Sequence, residues 1–323
     1  MKKPIILVLV LSMLFSLTAC TQQEANPAQK PPEGEEGKNY VFGMTTMGEA
    51  SFWDAVESGI LSVLHEGDEL IFVEGRHGDA AYQQSIIEDF IAQGVDLVFY
   101  NPTDSQASLA SLELLKEAGI PIINFDSKCA DLSYCLTYCA TDNYNAGVVV
   151  AEHMMKEHPE GGKVGVIEYV AVESASIRSQ GFVDTITASG KWEIVAQLDG
   201  GNTTDGALPV AEDILTAHPD IDCIFTANDE MGLGAYSAIT NAGMNVGVYS
   251  INGGPESKNA MLKDGEDGIW RATGAQSPII MGSTIAELAY KHFEGETLEP
   301  EYLITPFIIC PENIEEYGHS EWQ

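Results

Sequence analysis

Basic residues are scarce in this sequence. Fifteen Lys and Arg stand against 49 Asp and Glu, so the 323-residue chain carries a formal net charge of -34 at pH 7. A surface this acidic would repel nucleic acid or any other polyanion, and we exclude such a partner. The acidity itself is typical of a solvated, self-repelling surface.

Cysteine is also scarce, and beyond residue 20 its number is odd. The five cysteines there are Cys129, Cys135, Cys139, Cys223 and Cys310. An odd number cannot all pair within one chain, and a body of this size needs no disulfide framework. The spacings of six and four residues among the first three do not fit a zinc site, so we predict no metal. Cys139 and Cys223 lie in apolar runs that predict burial, and a Cys129–Cys135 disulfide is left open.

Common catalytic motifs are missing. The sequence has no Gly-x-Ser-x-Gly elbow, no phosphate loop, no His-Glu-x-x-His and no EF-hand loop. His153 and His158 are five residues apart, share no helical face and are predicted at the surface. An enzyme could use Asp126 as a general base, but no nucleophile or metal cluster accompanies it. We therefore expect no enzyme activity and no cofactor.

Only one long apolar run is present, at the amino terminus. Lys2 and Lys3 precede an apolar stretch from Ile5 to Leu17, and Leu-Thr-Ala-Cys closes it at Cys20. This pattern predicts a signal peptide over residues 1–19, too short to span a membrane. The closing tetrapeptide resembles the bacterial lipoprotein box, so we expect lipidation of Cys20 and anchoring to the extracytoplasmic face of the cell membrane. An ordinary signal peptide with a chance cysteine is the alternative.

The segment that follows has no large apolar residue. Residues 21–38 contain three prolines, two glycines and many Glu and Gln, and cannot build a core. We expect residues 20–38 to be the lipidated cysteine and a flexible tether with a reach of roughly 25 Å.

From Tyr40 onward, short β-rich runs alternate with amphipathic stretches that end in glycine. One helix is predicted to end at Gly94, before a buried strand over Val95–Tyr100, and another at Gly119, before a strand over Ile120–Phe125. Such alternation is typical of an α/β fold, in which helices cover both faces of parallel sheets.

The second half repeats this plan. Strands are predicted over Val164–Val170 and Cys223–Thr226, with a helix over Ser174–Ser189 between them, and Asp229 is predicted to cap a helix that ends at Gly243. About eleven strands are expected in all, too many for one ordinary small sheet. A body of about 285 residues also exceeds one compact core. We therefore predict two doubly wound lobes.

Polar side chains recur directly after the predicted strands, where open parallel sheets bind their ligands. The five residues are Asn101, Asp126, Asn228, Asn252 and Gln276. Phe52 and Trp53 follow the first strand. Amides and carboxylates bind hydroxyls directionally, and aromatic rings cover the C–H face of a sugar, so the set predicts a hydroxyl-rich solute. Singly, each polar residue could be a turn or cap, and each aromatic could be core.

In these residues the chain resembles the type I periplasmic binding proteins, specifically the ribose/galactose branch that serves ABC importers. The resemblance covers about residues 40–310. It is carried by Phe52-Trp53, Asn101 to Ser105, Ala140 to Asn143, Arg178 to Phe182 and Asn228 to Ala235. It implies a three-segment hinge near Thr141, Gln276 and Thr305. Residues 39–141 plus 277–304 would form the N-terminal lobe, and residues 142–276 plus 305–323 the C-terminal lobe.

The resemblance also implies a role for each site residue. Phe52 and Trp53 would stack on the ligand ring, and Asn101 and Asp126 would bind hydroxyls from the first lobe. The second lobe and the hinge would contribute Arg178, Asn228, Asn252 and Gln276. Arg178 presents a fork of donors; a surface ion pair is its alternative.

Four departures from the ribose-binding pattern argue against ribose itself. Ser127 stands where a ribose binder usually has arginine, Asn252 where it usually has aspartate, Ala50 where such proteins often have a polar residue, and Gly200-Gly201 where relatives place an aromatic lid. The site should therefore be less charged and roomier. Another monosaccharide, a polyol, a furanosyl compound and a signalling sugar all remain open.

The implied mechanism is capture by hinge closure, after which a membrane permease recognises the closed form. The expected partners are a sugar-like ligand and an ABC permease with its ATPase, and we expect a monomer. A lipoprotein that presents its ligand to a receptor kinase is one alternative, and a binder of nucleosides or amino acids is another. A transcription regulator is excluded, because the chain has an export signal and no DNA-binding headpiece.

Overall fold

The computed structural model describes residues 38–48, 50–265, 268–318 and 321–323. The predicted signal peptide over residues 1–19, Cys20 and all but the last residue of the tether over residues 20–38 lie outside the described residues. No helix in the described ranges combines the length and the apolar character needed to cross a membrane.

Strands and helices alternate along the chain. The first part contains β1 (Val41–Thr46), α1 (Ser51–Leu61), β2 (Glu69–Glu74), α2 (Ala80–Gln93), β3 (Leu97–Tyr100), α3 (Leu109–Ala118), β4 (Ile122–Phe125) and β5 (Thr137–Thr141). The middle part contains α4 (Asn143–Glu157), β6 (Gly162–Glu168), α5 (Glu173–Ser189), β7 (Trp192–Asp199), α6 (Thr204–Ala217), β8 (Cys223–Thr226), α7 (Asp229–Ala242), β9 (Gly247–Asn252), α8 (Pro255–Asp264) and β10 (Trp270–Ala275). The last part contains α9 (Pro278–Phe293), β11 (Glu301–Ile304) and β12 (Phe307–Ile309).

The strands form two six-stranded sheets. The first has the order β11-β5-β4-β3-β1-β2, and all of its strands are parallel. The second has the order β12-β10-β9-β8-β6-β7, and only β12 is antiparallel to its neighbour. The described residues therefore hold twelve strands, where about eleven were expected. In each sheet the strand order reverses beside the first strand, at β1/β3 and at β6/β8, and such reversals are where ligands bind.

Both faces of each sheet are buried, which explains the unbroken apolar sequence of the central strands. In β3, Leu97 and Phe99 pack into the core shared with α1 and α9. Val98 and Tyr100 point the other way, into the core shared with α2 and α3. Strand side chains alternate between faces, so all four must be apolar.

The chain passes between the two sheets at three places. These are residue 142, between β5 and α4; residues 276–277, between β10 and α9; and residues 305–306, between β11 and β12. The division into lobes over residues 39–141 plus 277–304 and residues 142–276 plus 305–323 is consistent with these crossings and stays a proposal.

The last residues contact elements of both lobes. The Trp322 ring lies edge-on to Phe52 of α1, with ring centroids 5.4 Å apart, and the Gln323 carbonyl accepts a hydrogen bond from the Ile279 amide. The Glu321 carbonyl accepts from the ammonium group of Lys258, a buried residue of α8. The carboxyl-terminal segment thus ties α8 to α1 and α9.

The helix ends agree with the predicted end and cap residues, with one exception. Gly94, Gly119 and Gly243 adopt left-handed backbone conformations at the ends of α2, α3 and α7, as their sequence positions predicted. The predicted cap of α7 at Asp229 is wrong by one residue. The cap is Asn228, whose side chain accepts a hydrogen bond from the Met231 amide.

Asp229 instead ties three elements together behind the cap. Its buried carboxylate accepts hydrogen bonds from the hydroxyls of Ser250 at 2.5 Å, Ser257 at 2.7 Å and Thr273 at 2.8 Å, and from the Gly254 amide at 2.8 Å. Burial raises the pKa of Asp229, although these donors oppose the rise. The carboxylate therefore fixes β9, β10 and the start of α8 at the edge where β8 ends.

Replacing Asp229 with alanine should destabilise the protein strongly. Four buried donors would lose their acceptor, at an expected cost of about 3–5 kcal/mol in the free energy of unfolding. Denaturant unfolding followed by circular dichroism measures it. Asn259→Ala, at an exposed position of α8, is the matched control and should stay within about 0.5 kcal/mol. Equal losses in the two variants would contradict the role assigned to Asp229.

Candidate functional site

A cavity of about 360 Å³ lies between the two lobes, at the carboxyl ends of the strands. This volume is at the small end of the range of roughly 300–1,000 Å³ typical of small-molecule sites. Seven of the eight predicted ligand-binding residues line it: Phe52, Trp53, Asp126, Arg178, Asn228, Asn252 and Gln276. Four of them, Asp126, Asn228, Asn252 and Gln276, were predicted from their positions directly after strands, and the fold brings these four together although they are far apart in sequence.

The two aromatic residues belong to the cavity and to the core at once. Phe52 and Trp53 lie in the first turn of α1 and are 7% and 5% exposed. Their rings pack edge to face with centroids 4.9 Å apart, and Trp53 also contacts Phe125 at 6.1 Å. The Trp53 Nε1 atom is buried and has no hydrogen-bond partner among the described residues. A ligand acceptor in the cavity would satisfy this donor.

Asp126 follows β4 and faces the cavity from the first lobe. Its carboxylate accepts from the Ser127 hydroxyl at 3.0 Å and from the Asn101 amide at 3.4 Å. Burial raises the pKa of Asp126, and the positive charge of Arg178 across the cavity opposes this rise. Asp126 thus has a fixed orientation before any ligand arrives.

Asn101 is the one predicted site residue that does not line the cavity. It is fully buried behind Asp126, and its Oδ1 accepts from the Met47 amide at 2.9 Å while its Nδ2 donates to the Phe125 carbonyl at 3.2 Å. These bonds hold Met47 and Asp126 at the cavity wall. Direct contact of Asn101 with a solute stays a prediction, and the geometry favours a positioning role.

Arg178 enters the cavity from α5 of the second lobe. Its side chain is buried, so the alternative of a surface ion pair is wrong. Nε donates to Asn143 Oδ1 at 2.8 Å, and Nη1 donates to Asn252 Oδ1 at 3.2 Å and to the Ala227 carbonyl at 3.3 Å. Burial lowers the pKa of Arg178, and the nearby carboxylate of Asp126 opposes this effect. The guanidinium is thereby held rigidly at the cavity.

Asn252 and Gln276 extend this network along the ends of β9 and β10. Gln276 Nε2 donates to Asn252 Oδ1 at 2.8 Å, and Asn252 Nδ2 donates to Glu230 Oε2 at 3.1 Å. Gln276 Oε1 is buried without a partner among the described residues. Together with Trp53 Nε1, the site thus presents one unsatisfied acceptor and one unsatisfied donor.

A close helix contact sets the position of Arg178. Helices α4 and α5 cross through two glycines, so that a Cβ atom at Gly147 would lie 2.0 Å from the Arg178 carbonyl oxygen. A Cβ atom at Gly181 would lie 2.1 Å from the Tyr144 carbonyl oxygen. Only glycine allows the backbones to approach so closely. The contact brings the base of Arg178 against α4, whose first residue, Asn143, receives its Nε bond.

Several cavity residues escaped the sequence reasoning. They are Met47, His77, Val172, Ser174, Ala175, Asn202, Thr203, Thr204 and Glu230. Asn202 follows β7, so the search for polar residues after strands could have found it. Its Oδ1 accepts from Asn228 Nδ2 at 2.7 Å, and it occupies the wall next to Gly200-Gly201, where an aromatic lid was expected to be missing. Glu230 lies two residues into the motif that begins at Asn228, in the first turn of α7.

The side chain of Glu230 has an unusual pKa. Its side chain is open to the cavity but lies between the two lobes. Loss of solvent there, together with repulsion from the Asp229 carboxylate, raises the pKa of Glu230 to about 7. The side chain therefore changes its ionisation near neutral pH.

The two lobes touch at one edge of the cavity. The hydroxyl oxygens of Ser127, after β4, and Ser174, at the start of α5, are 3.3 Å apart. The lobes are therefore close together at this edge in the structure described. Within the described ranges, no cluster of three His, Cys, Asp or Glu side chains is placed to hold a metal ion.

Comparison with known proteins identifies the family. The family described as periplasmic binding protein domain matches residues 40–297. The chain is 31% identical over 301 residues to the ribose import binding protein RbsB of Bacillus subtilis, which covers 93% of this chain and 96% of that protein. The chain belongs to the periplasmic binding protein family.

Solved structures of periplasmic binding proteins share the fold. An ABC transporter solute-binding protein from Actinobacillus succinogenes with bound D-allose is 26% identical with a TM-score of 0.77, over 87% of this chain and 100% of that chain. The binding protein of the arabinose ABC transporter from Shewanella sp. ANA-3 is 25% identical with a TM-score of 0.77, over 85% and 93%. The predicted family, the two-lobed fold and the role of a binding protein rather than an enzyme are confirmed.

Gly147→Ala should destabilise this periplasmic binding protein by about 2 kcal/mol, because the added methyl group forces α4 and α5 apart. The shift should also displace Arg178 and weaken ligand binding. Denaturant unfolding and calorimetric titration measure the two effects. Glu152→Ala, at an exposed position of the same helix, should change neither. Native affinity in the Gly147 variant would contradict the positioning role of the contact.

Glu230→Gln should make stability less dependent on pH. Between the unfolded pKa of 4.5 and the folded pKa of about 7, the folded protein keeps a proton that the unfolded chain releases. Stability contributed by Glu230 is therefore lost as pH rises through this window.

The variant should consequently gain melting temperature relative to the native protein between pH 5 and pH 7, by roughly 2–4 °C, and the gain should level off above. Differential scanning calorimetry across pH measures it. Glu212→Gln, an exposed residue of α6, is the control. A gain that is the same at every pH would rule out the ionisation described for Glu230.

Proposed function

We propose that this protein captures a monosaccharide or a related polyhydroxy compound in the interlobe cavity and delivers it to an ABC importer. The observation that carries the proposal is the cavity lining. Trp53 Nε1 and Gln276 Oε1 have no hydrogen-bond partner among the described residues, Asp126 and Arg178 are pre-oriented, and two aromatic rings complete the wall. Directional donors and acceptors beside aromatic faces suit a sugar ring, which is polar at its edge and apolar on its faces.

The names of the relatives support the same class of ligand. They are a ribose import binding protein, a structure with bound D-allose and the binding protein of an arabinose transporter bound to arabinofuranose. We therefore place the ligand of this chain among polyols and among pentoses and hexoses in pyranose or furanose form.

The contacts of Arg178 argue against an amino acid. A carboxylate is best held by two parallel bonds from one edge of a guanidinium group. Nε and Nη1 of Arg178 already donate to protein acceptors, so a ligand carboxylate would compete with them. A hydroxyl group needs only a single donor and can be added to the network.

The departures from the ribose pattern have a structural consequence. The amide of Asn252 accepts from Arg178 and Gln276 and donates to Glu230, and an ionised aspartate there could not donate. Ser127 bonds Asp126 and reaches Ser174 of the other lobe, in the place of a longer arginine. Both residues change the groups that meet ligand hydroxyls, so we expect ribose to be a weaker ligand than the true one.

Capture would work by hinge closure. Asp126 and Arg178 come from different lobes, so a ligand that binds both favours the state in which the lobes are close. The closed surface would then be recognised by a permease with its ATPase. We further propose that the protein is a monomer anchored on the extracytoplasmic face through a lipid on Cys20, with residues 20–38 as its tether; the sequence pattern alone supports this anchor.

A thermal-shift screen tests the ligand class. The chain from residue 21 onward is incubated with pentoses, hexoses, polyols, nucleosides and amino acids. A ligand at one hundred times its dissociation constant adds about 2.7 kcal/mol to the free energy of unfolding, which raises the melting temperature visibly. We expect the shift with a sugar or a polyol. A shift confined to amino acids or nucleosides would overturn the proposed ligand class.

Arg178→Lys should weaken binding of that ligand by at least roughly tenfold, because lysine keeps the charge but loses the planar fork of donors. Calorimetric titration measures the dissociation constant. The matched control is Gln180→Ala, at an exposed position on the same helix, which should bind as the native protein does. Equal affinity in the Arg178 variant would show that the ligand does not use this guanidinium.

A further inference from the structure

Two of the five cysteines meet in the loop that begins at Asp126. The loop joins β4 to β5 and contains a short 3₁₀ helix over Leu132–Tyr134. The sulfur atoms of Cys129 and Cys135 lie 3.6 Å apart. A disulfide requires about 2.05 Å, so the sulfurs need to approach by only about 1.5 Å.

The backbone of the loop holds both cysteines in place. The Cys129 amide donates to Asn124 Oδ1 at 3.2 Å, and the Cys135 amide donates to the Leu132 carbonyl at 3.0 Å. The Asp131 side chain accepts from the Ser133 amide at 2.9 Å and closes the turn between them. The proximity of the sulfurs is therefore a property of a tightly bonded loop.

The protons of the pair are arranged for thiol–disulfide exchange. A hydrogen bond joins the two sulfur atoms, and this contact with Cys135 lowers the pKa of Cys129. The same bond, together with burial, raises the pKa of Cys135. Cys129 is thus the sulfur that ionises first, and the thiolate is the form that attacks a disulfide.

We propose that Cys129 and Cys135 form a disulfide in the exported protein and that this bond stiffens the loop that carries Asp126. Periplasmic binding proteins work outside the cytoplasm, where disulfides form and persist. Pairing of these two would leave Cys139, Cys223 and Cys310 as buried thiols, which fits the odd number of cysteines.

The oxidant is a disulfide supplied by an exchange protein or a small molecule. The Cys129 thiolate attacks one sulfur of that disulfide and expels the other as a thiolate, which gives a mixed disulfide. Cys135 then loses its proton and attacks Cys129 Sγ, which expels the second thiolate. The two cysteines are oxidised by two electrons, and the external disulfide is reduced to two thiols that take up the two protons.

Alkylation and mass spectrometry test the bond. The chain from residue 21 onward is equilibrated with oxidised glutathione, denatured without reductant and treated with iodoacetamide. We expect three alkyl groups, five after prior reduction, and one cross-linked peptide pair joining Cys129 to Cys135. Five alkyl groups without reduction, or a bond that uses any other cysteine, would overturn the proposal.

Melting temperature tests the effect on the loop. The bond closes a loop of seven residues, 129–135, so the oxidised protein should melt roughly 5 °C above the reduced protein. The double variant Cys129→Ser/Cys135→Ser should melt at the same temperature with and without reductant. A reductant effect of equal size in the variant would assign the change to other residues and contradict the proposal.

The effect on Asp126 rests on the proposed sugar-binding function, and it has a readout of its own. Reduction should weaken ligand binding several-fold in the native protein and leave the affinity of the double variant unchanged. If reduction leaves the ligand affinity of the native protein unchanged, the disulfide does not act on ligand binding through Asp126. The alkylation count does not depend on any ligand, so failure of the sugar screen and failure of the disulfide are distinguishable.

Discussion

Parallel strands leave all their carboxyl ends at one edge of a sheet, and the site of this protein depends on that constraint. The polar residues after β8, β9 and β10 converge because these three strands run parallel in the second sheet, and Asp126 follows β4 at the corresponding edge of the first sheet. Two such sheets with the same strand order place two of these edges opposite each other. The cavity between them therefore collects groups from both lobes, many of which are far apart in sequence.

Several residues at this edge both stabilise the fold and line the cavity. Phe52 and Trp53 fill the core under α1 and line the cavity, and Asn228 caps α7 while its amide bonds Asn202 at the cavity wall. A binding wall built from core and cap residues is rigid, so ligand binding loses little side-chain entropy. The sequence left open whether these residues belong to the core, cap a helix or bind a ligand. The structure shows that a core or cap residue can also line the cavity.

Buried charge is concentrated where the lobes meet. Arg178 and Asp126 face each other across the cavity, Asp229 lies just behind it with four donors, and Glu230 titrates near neutral pH. The charges of Asp126, Arg178 and Asp229 are costly to bury, and each is held by neighbours that compensate it, whereas Glu230 is exposed to the cavity. Elsewhere the acidic surface is solvated, which agrees with the composition.

The sequence by itself determined the alternation of strands and helices, the glycines that end the helices and the four polar residues at strand ends that line the cavity. These features depend on local propensity and on side-chain periodicity, which neighbouring residues encode. Tertiary structure alone decided that Asn228 rather than Asp229 caps α7, that Asn101 lies behind Asp126, and that Glu230 and His77 reach the cavity. It also decided that Cys129 and Cys135 meet. The direction of a side chain at a strand end depends on packing from distant segments, and no local pattern encodes that packing.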